Sequence, residues 1–446
     1  MGANRAQMAW DSVPMRECGK WLSGGTPSTN EPKYWNGDIP WITASSLHGF
    51  QIRTSERKLT SSGLDSGSRL VPKGSILFVV RGMSLKTEFR VGIAQNSVAF
   101  GQDCKAIIPN NRLDSLFLAY AIRSKEEEIL GLVDEAGHGT GRLQTDLLEK
   151  LAIPLPPLSV QERIGSVLGA LDDKIEINRA INHHLEEMAR ALFKSWFVDF
   201  DPVRAKLDGR QPPGMDPATA ALFPDSLQDS DLGLIPKGWN IERFDAHITA
   251  DRGLSYKGEG LRDDRTGLPM HNLNSIYEGG GYKHEGIKYY DGEYRQKHLL
   301  EPGDMIVTNT EQGFDHLLIG HGAIVPKSYG PNGLFSHHIY RVRFVPSSPL
   351  NPHYLVQLFN NRRWHYWISG FSNGTTINML PSDALKMPLL VVPPAELVKK
   401  FTVLAQAGHD QIEANRIQSR TLAALRDTLL PRLMSGELSV AGVAAK

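Results

Sequence analysis

Cysteine is nearly absent from this chain of 446 residues. The two present, Cys18 and Cys104, are too few for a disulfide framework or a zinc knuckle, which points to a reducing compartment. Net charge is absent as well. Lysine plus arginine and aspartate plus glutamate each number 49, so no overall basic field announces nucleic acid or an anionic membrane, and any such contact must come from local charge. No apolar run reaches the roughly 18 residues of a transmembrane helix. The amino terminus has no hydrophobic signal segment, and MGANRA has neither Ser nor Thr at its sixth position, so myristoylation is not indicated. These absences predict a soluble, cytoplasmic protein. A GxxxxGK[ST] phosphate loop and a nuclease carboxylate–lysine cluster are missing too, so hydrolytic chemistry is expected elsewhere.

What is present is a long amphipathic stretch. From Leu158 to Phe200, the residues Ile164, Leu168, Leu171, Ile175, Asn178, Asn182, Leu185, Ala189, Leu192 and Trp196 step alternately by four and three, the 3.5-residue period of a coiled-coil seam. Ser159 and Glu162 have capping-box spacing and mark its start. About 38 helical residues span roughly 57 Å, too long for one small core, so the helix reads as a strut that needs a partner.

The partner is a second copy of the same pattern. The segment beginning at Pro393 repeats the first helix at a constant offset of 237: Pro157 maps to Pro394, Asp173 to Asp410, Ile175 to Ile412, Asn178 to Asn415 and Leu185 to Leu422. Upstream, Gly74 answers Gly303 and Trp10 answers Trp239, both at an offset of 229, so the second copy carries eight extra residues before its helix. The chain is a two-fold duplication of domain size. The first copy opens with short β-branched runs such as SILFVV at Ser75 to Val80 and VGIA at Val91 to Ala94, separated by turn residues. A helix is expected at Asp114 to Ile129, answered by LNPHYLVQLFNN in the second copy. Residues 201–236, rich in Pro, Gly and Asp, read as an irregular linker. The predicted organisation is a mixed domain over 1–157, a helix over 158–200, the linker, a mixed domain over 237–392, a second helix over 393–438 and a tail over 439–446. Pro431 is expected to end or kink the second helix one turn early.

Several stretches in this order resemble the specificity subunit of a Type I restriction-modification enzyme over nearly the whole chain. They are GGTPSTNEPKYWNGDIPWITASSL at Gly24 to Leu47, IPLPPLSVQER at Ile153 to Arg163, KSWFVDFDPVRAK at Lys194 to Lys206, GLIPKGW at Gly233 to Trp239 and LLPRLMSGEL at Leu429 to Leu438. The resemblance implies an α+β fold: two duplicated mixed target recognition domains separated by two long antiparallel coiled-coil helices, in a pseudo-two-fold arrangement. It further implies a non-catalytic subunit that reads a bipartite target in double-stranded DNA, one half per domain. Two methylation subunits and the restriction/translocase subunits would assemble on it. S-adenosylmethionine, ATP and Mg would bind those partners, and this chain would need no cofactor of its own.

Base readout needs directional donors and acceptors, Arg toward guanine and Asn or Gln toward adenine. In the first copy RGMSLKTEFR offers Arg81, Lys86 and Arg90, and GHGTGRLQ offers Thr140, Arg142 and Gln144. In the second, TNTEQ offers Asn309, Thr310 and Gln312, and SNGTTIN offers Asn373, Thr375, Thr376 and Asn378. Ordinary solvated turns have the same composition. In the strut, an antiparallel pairing puts Asn178 and Asn182 opposite Asn415 and Ser419, a polar layer that penalises slipped registers.

Other motifs are weaker. NPHY at Asn351 to Tyr354 resembles the Asn-Pro-Pro-Tyr motif of adenine methyltransferases, which would make the chain a DNA adenine methyltransferase acting on its own. Its third position is His, however, and no glycine-rich turn for S-adenosylmethionine precedes it, so a helix cap with proline at N1 explains it. His316, His321, His337 and His338 lack metal-ligand spacing and Cys or carboxylate partners. Trp35, Trp41 and Trp239 suit packing better than base stacking. Asp172, Glu176, Arg179, Glu187 and Arg190 are expected on solvated helix faces.

Overall fold

The computed structural model describes residues 10–136, 140–313, 315–374 and 377–440. It divides into two compact units, Met1–Ile177 with Gln418–Lys446, and Asn178–Ile417.

In the first unit a five-stranded sheet runs in the order Gly19–Ser23, Cys104–Pro109, Ile76–Val79, Val91–Ala94, Gln51–Ile52. The run Ile76–Val79 is buried along its whole length, as a strand covered on both faces must be. A second sheet runs Lys58–Leu59, Trp35–Ile42, Val98–Phe100, Arg69–Val71, with its central pair parallel. Trp41 is buried, and half-buried Trp35 stands edge-on to it at 5.0 Å with the Arg57 guanidinium over its ring at 3.9 Å. Asp114 caps the helix Ser115–Arg123 by accepting the Phe117 N–H at 2.8 Å. The helix expected through Ile129 breaks at Ser124, whose hydroxyl bonds back to the Ala121 carbonyl, and resumes as Glu126–Leu130.

The second unit repeats this plan. Its main sheet runs Ile248–Arg252, Ile339–Phe344, Met305–Thr308, Gly322–Ile324, and its second sheet again has a parallel pair, Leu268–His271 with Gly333–Phe335. The eight extra residues enter in two places. Val79 pairs with Cys104 and Thr308 with Ile339, so the offset has grown from 229 to 235 across that connection; it reaches 237 at the helix caps Asp114 and Asn351. Asn351 accepts the Tyr354 N–H at 3.1 Å with Pro352 in the first turn, so NPHY is a helix start.

The segment 201–236 is more ordered than its composition suggests. It holds the short helices Asp201–Leu207 and Pro217–Ala221, and Val203, Phe223 and Ile235 enter the second unit's core beside Trp196 and Trp239. Buried apolar side chains override the proline and glycine content here.

Two long helices, Leu158–Phe197 and Ala395–Ser435, pack together. The early half of one lies with the late half of the other within each unit, which makes them antiparallel. Ile164, Leu168, Ile175, Asn178, Asn182 and Trp196 of the expected seam are buried. The start differs from expectation. Ser159 is already inside the helix, and the Pro157 carbonyl accepts the Val160 and Gln161 N–H groups at 2.8 and 3.1 Å. Gln161 turns inward instead, accepting from the Asp114 N–H and donating to the Arg112 carbonyl. The first helix stops at Phe197, and Phe200, with φ of 57°, turns the chain into the next helix. Pro431 does not end the second helix, which runs four residues further to Ser435. Proline forfeits one hydrogen bond, while Leu430, Leu433 and Met434 hold the last turn in the first unit's core.

Asp172 is not a solvated charge. It is buried, accepting hydrogen bonds from the Tyr120 hydroxyl at 2.6 Å and from the Arg426 guanidinium, with Arg123 at 3.6 Å. Arg179, Glu187 and Arg190 are exposed and Glu176 is half-buried.

Candidate nucleic-acid interface

The two candidate loops of each copy, some 60 positions apart in sequence, meet in space. In the first unit Arg81–Gly82 pairs with Thr140–Leu143, which pairs in turn with Val133–Ala136. Gly141 permits the close approach of the following turn, since a Cβ there would stand 2.9 Å from the Leu85 Cβ. Leu85 is buried and anchors the turn Met83–Lys86. This register sets Arg81 directly opposite Arg142. Like charges facing across an antiparallel pair are destabilising; on its other side Arg142 faces Asp134, whose carboxylate is bonded to Gln144. Lys86 is exposed on the turn between. The ribbon therefore offers a cationic edge to an anion.

The other candidates differ. Arg90 is half-buried, 2.5 Å from Glu88, and donates to the Ala44 carbonyl at 3.1 Å. Gln144 is exposed but bonded to Asp134, and Thr140 is half-buried at the strand start.

In the second unit Thr310–Gln312 pairs with Ile377–Met379, setting Thr310 opposite Met379 and Gln312 opposite Ile377. Thr375 and Thr376 lie outside the described residues. Gln312 and Asn373 are exposed. Asn309, Thr310 and Asn378 are buried. Asn309 donates to the His337 carbonyl at 3.1 Å, Thr310 bonds His338 at 2.9 Å, and Asn378 donates to the Gly313 carbonyl. Their polar groups are used in shaping the loop.

Sequence reasoning missed Glu311. Its buried carboxylate accepts the N–H groups of Leu317, Leu318 and Ile319 at 2.7, 3.1 and 3.0 Å, fixing the loop after the ribbon. An acidic residue directly before a glycine-containing loop was the one available signal. His321 and His365 stack at 3.8 Å with planes 9° apart, and burial, followed by the His365 charge, lowers the His321 pKa to about 4. Among the described residues no His, Cys, Asp and Glu cluster could hold a metal ion.

In the second unit's portion of the strut, Asn415 donates to the Asn182 side-chain oxygen at 2.8 Å, Asn178 donates to the Asn415 carbonyl at 3.4 Å, and Gln411 donates to Asn415 at 2.8 Å. Ser419 is half-buried and belongs to the first unit.

Against known proteins, the Type I restriction modification DNA specificity domain matches residues 8–187. The Type I restriction enzyme MjaIX specificity subunit of Methanocaldococcus jannaschii is 27% identical over 442 residues, covering 97% of this chain and 94% of that protein. The EcoR124I/EcoR124II specificity subunit of Escherichia coli is 32% identical over 158 residues, 35% of this chain and 39% of the relative. The crystal structure of the S subunit of a Type I restriction-modification system from M. genitalium shares the fold, with a TM-score of 0.55 at 14% identity, covering 97% of this chain and 98% of that one. Duplicated mixed sheets with paired long helices, together with these likenesses, define a DNA-specificity protein of Type I restriction-modification. Over nearly its whole length the chain is similar to the specificity (S) subunits of that class, which are non-catalytic. Among the described residues no helix is long and apolar enough to cross a membrane.

Proposed function

We propose that the two ribbons are the reading elements of a bipartite double-stranded DNA target, one half-site each, over recognition domains 1–157 and 237–392. The observation that carries this is the pairing of Arg81 with Arg142. Two exposed guanidiniums held face to face fit guanine edges or phosphates, and the second unit has a ribbon at the same place with different side chains. Arg81, Lys86, Arg142 and Gln144 read the first half. Gln312 and Asn373, with Thr375 and Thr376, read the second. Arg90, Thr140, Asn309, Thr310 and Asn378 shape the loops that present them.

The strut fixes the spacing. A helix of 40 residues is about 60 Å long, and heads reading one face of DNA must be separated by roughly 34 Å or a multiple. The group Asn178, Asn182, Asn415 and Ser419 holds its register, since a slipped Asn would face Leu or Ile. In the cytoplasm, two methylation subunits dock on this frame and restriction/translocase subunits join the assembled complex. S-adenosylmethionine, ATP and Mg belong to those partners.

The test is to exchange ribbon side chains, R81T with R142M, in the complex with methylation subunits and to map methylated genomic sites. One half of the target should change and the other should persist. Both halves changing, or neither changing while methylation continues, would overturn the assignment.

A further inference from the structure

The two copies carry cationic charge in different places. In the first, it is on the ribbon, as Arg81, Lys86 and Arg142. At the matching positions of the second ribbon stand Thr310 for Arg81 and Met379 for Arg142, at the offsets of 229 and 237 already described, and that ribbon holds no cation. Phosphate contacts supply much of the affinity of a DNA-binding domain, so a ribbon without cations needs a grip elsewhere.

The short helix at the end of the cap helix shows the opposite exchange. In the first unit it reads Lys125 followed by Glu126, Glu127 and Glu128. Position for position the second unit has Arg362, Arg363, Trp364 and His365, in the helix Arg362–Ser369. Both arginines are exposed, and among the described residues neither has an acidic partner. Tyr366 beside them is 82% exposed.

In both copies this helix is braced against the loop that follows the ribbon. In the first, the Glu126 carboxylate accepts the Phe89 N–H at 2.9 Å. In the second, His365 bonds the Ile319 carbonyl at 3.0 Å, within the segment Glu311 grips from the ribbon itself. Edge-on contact of Trp364 with Phe244 at 4.9 Å and the buried Ile368 seat the helix on the core. Ribbon and helix are thus one connected surface in each copy, with the cations on opposite parts of it.

We propose that the second recognition domain grips the DNA backbone through Arg362 and Arg363 of this helix, whereas the first does so through its ribbon. The proposal rests on the ribbons lying against DNA. The experiment measures binding by the complex with methylation subunits across a salt series, on a genomic duplex that it methylates and on the same duplex with the second half-site scrambled. Because each phosphate contact contributes about 0.9 to the slope of log K against log salt, R362A with R363A should lower the slope by about 1.8 on both duplexes. R362K with R363K should restore it, separating lost charge from lost folding. An unchanged slope overturns the proposal, as does a loss confined to the intact half-site, which would mark base readout. R81A with R142A serves as the independent arm: an unchanged slope together with an unchanged first half of the methylated target removes the ribbons from DNA, whatever the helix variants do.

Discussion

In the first unit the space beside the long helices and the helix Ser115–Arg123 is filled by Phe50, Tyr120, Asp172 and Arg426; in the second the matching positions are Gly279, Gln357, His409 and Ala189, and a cleft of about 130 Å³ stands there. The first arrangement is a closed electrostatic one. Phe50 stacks on Tyr120 at 4.3 Å, and the Tyr120 hydroxyl, pushed far above its ordinary range by burial and then by Asp172, remains a donor to that carboxylate. The second uses neutral histidines, His353 and His409, at 5.5 Å. One backbone plan therefore tolerates either a buried ion pair or an open cleft at these positions, because backbone hydrogen bonding fixes the plan and side chains only fill it.

The comparison breaks most sharply at Arg426. R426A leaves the Asp172 carboxylate buried without its main partner and should cost about 3 to 5 kcal/mol, read as lost amide protection confined to the first unit by hydrogen-exchange mass spectrometry. Replacing both members, D172L with R426L, should recover most of that loss; no recovery would mean the pair is not what the site depends on.

Acid should separate the units next. Burial, then the neighbouring His353, lowers His409 to about 4, whereas an unfolded histidine titrates near 6.5. Between those values the unfolded chain binds a proton that the folded one refuses, so stability falls as pH drops through that window, by about 3 kcal/mol at pH 4. Buried His321 adds a term of the same sign. H409Q should reduce the acid dependence of the second unit, with His271 and His321 carrying what remains, and leave the first unchanged; an unaltered profile would exclude His409 as a source.

The smallest effect is expected from filling the cleft. A189L adds apolar volume where the other copy has arginine, and should stabilise the second unit by about 0.5 to 1 kcal/mol, raising its denaturation midpoint. A loss of stability would show that the cleft is already spoken for by the surrounding side chains.

The duplication was legible in the sequence because the helices keep residue-for-residue register from Asp173 and Asp410 through Leu185 and Leu422. The ribbon loops were legible as residue types, but their meeting was not, since strand pairing between Arg81 and Arg142 leaves no local signal. Asp172 read as solvated because its partners Tyr120 and Arg426 lie 52 and 254 positions away. Asn309, Thr310 and Asn378 have base-reading chemistry, and only the structure around them reveals that the Asn309 and Asn378 amide groups and the Thr310 hydroxyl are already bonded within the loop.

The discontinuity of the first unit governs the order in which the protein is made. Its sheets leave the ribosome first, yet Leu430, Leu433 and Met434 belong to the same core as Met15 and Phe78. The second unit is one continuous segment, Asn178–Ile417, so synthesis completes it while the amino-terminal core still lacks its final helical turns. The head begun first is the last to close, and a stop codon anywhere in the final helix leaves it unfinished.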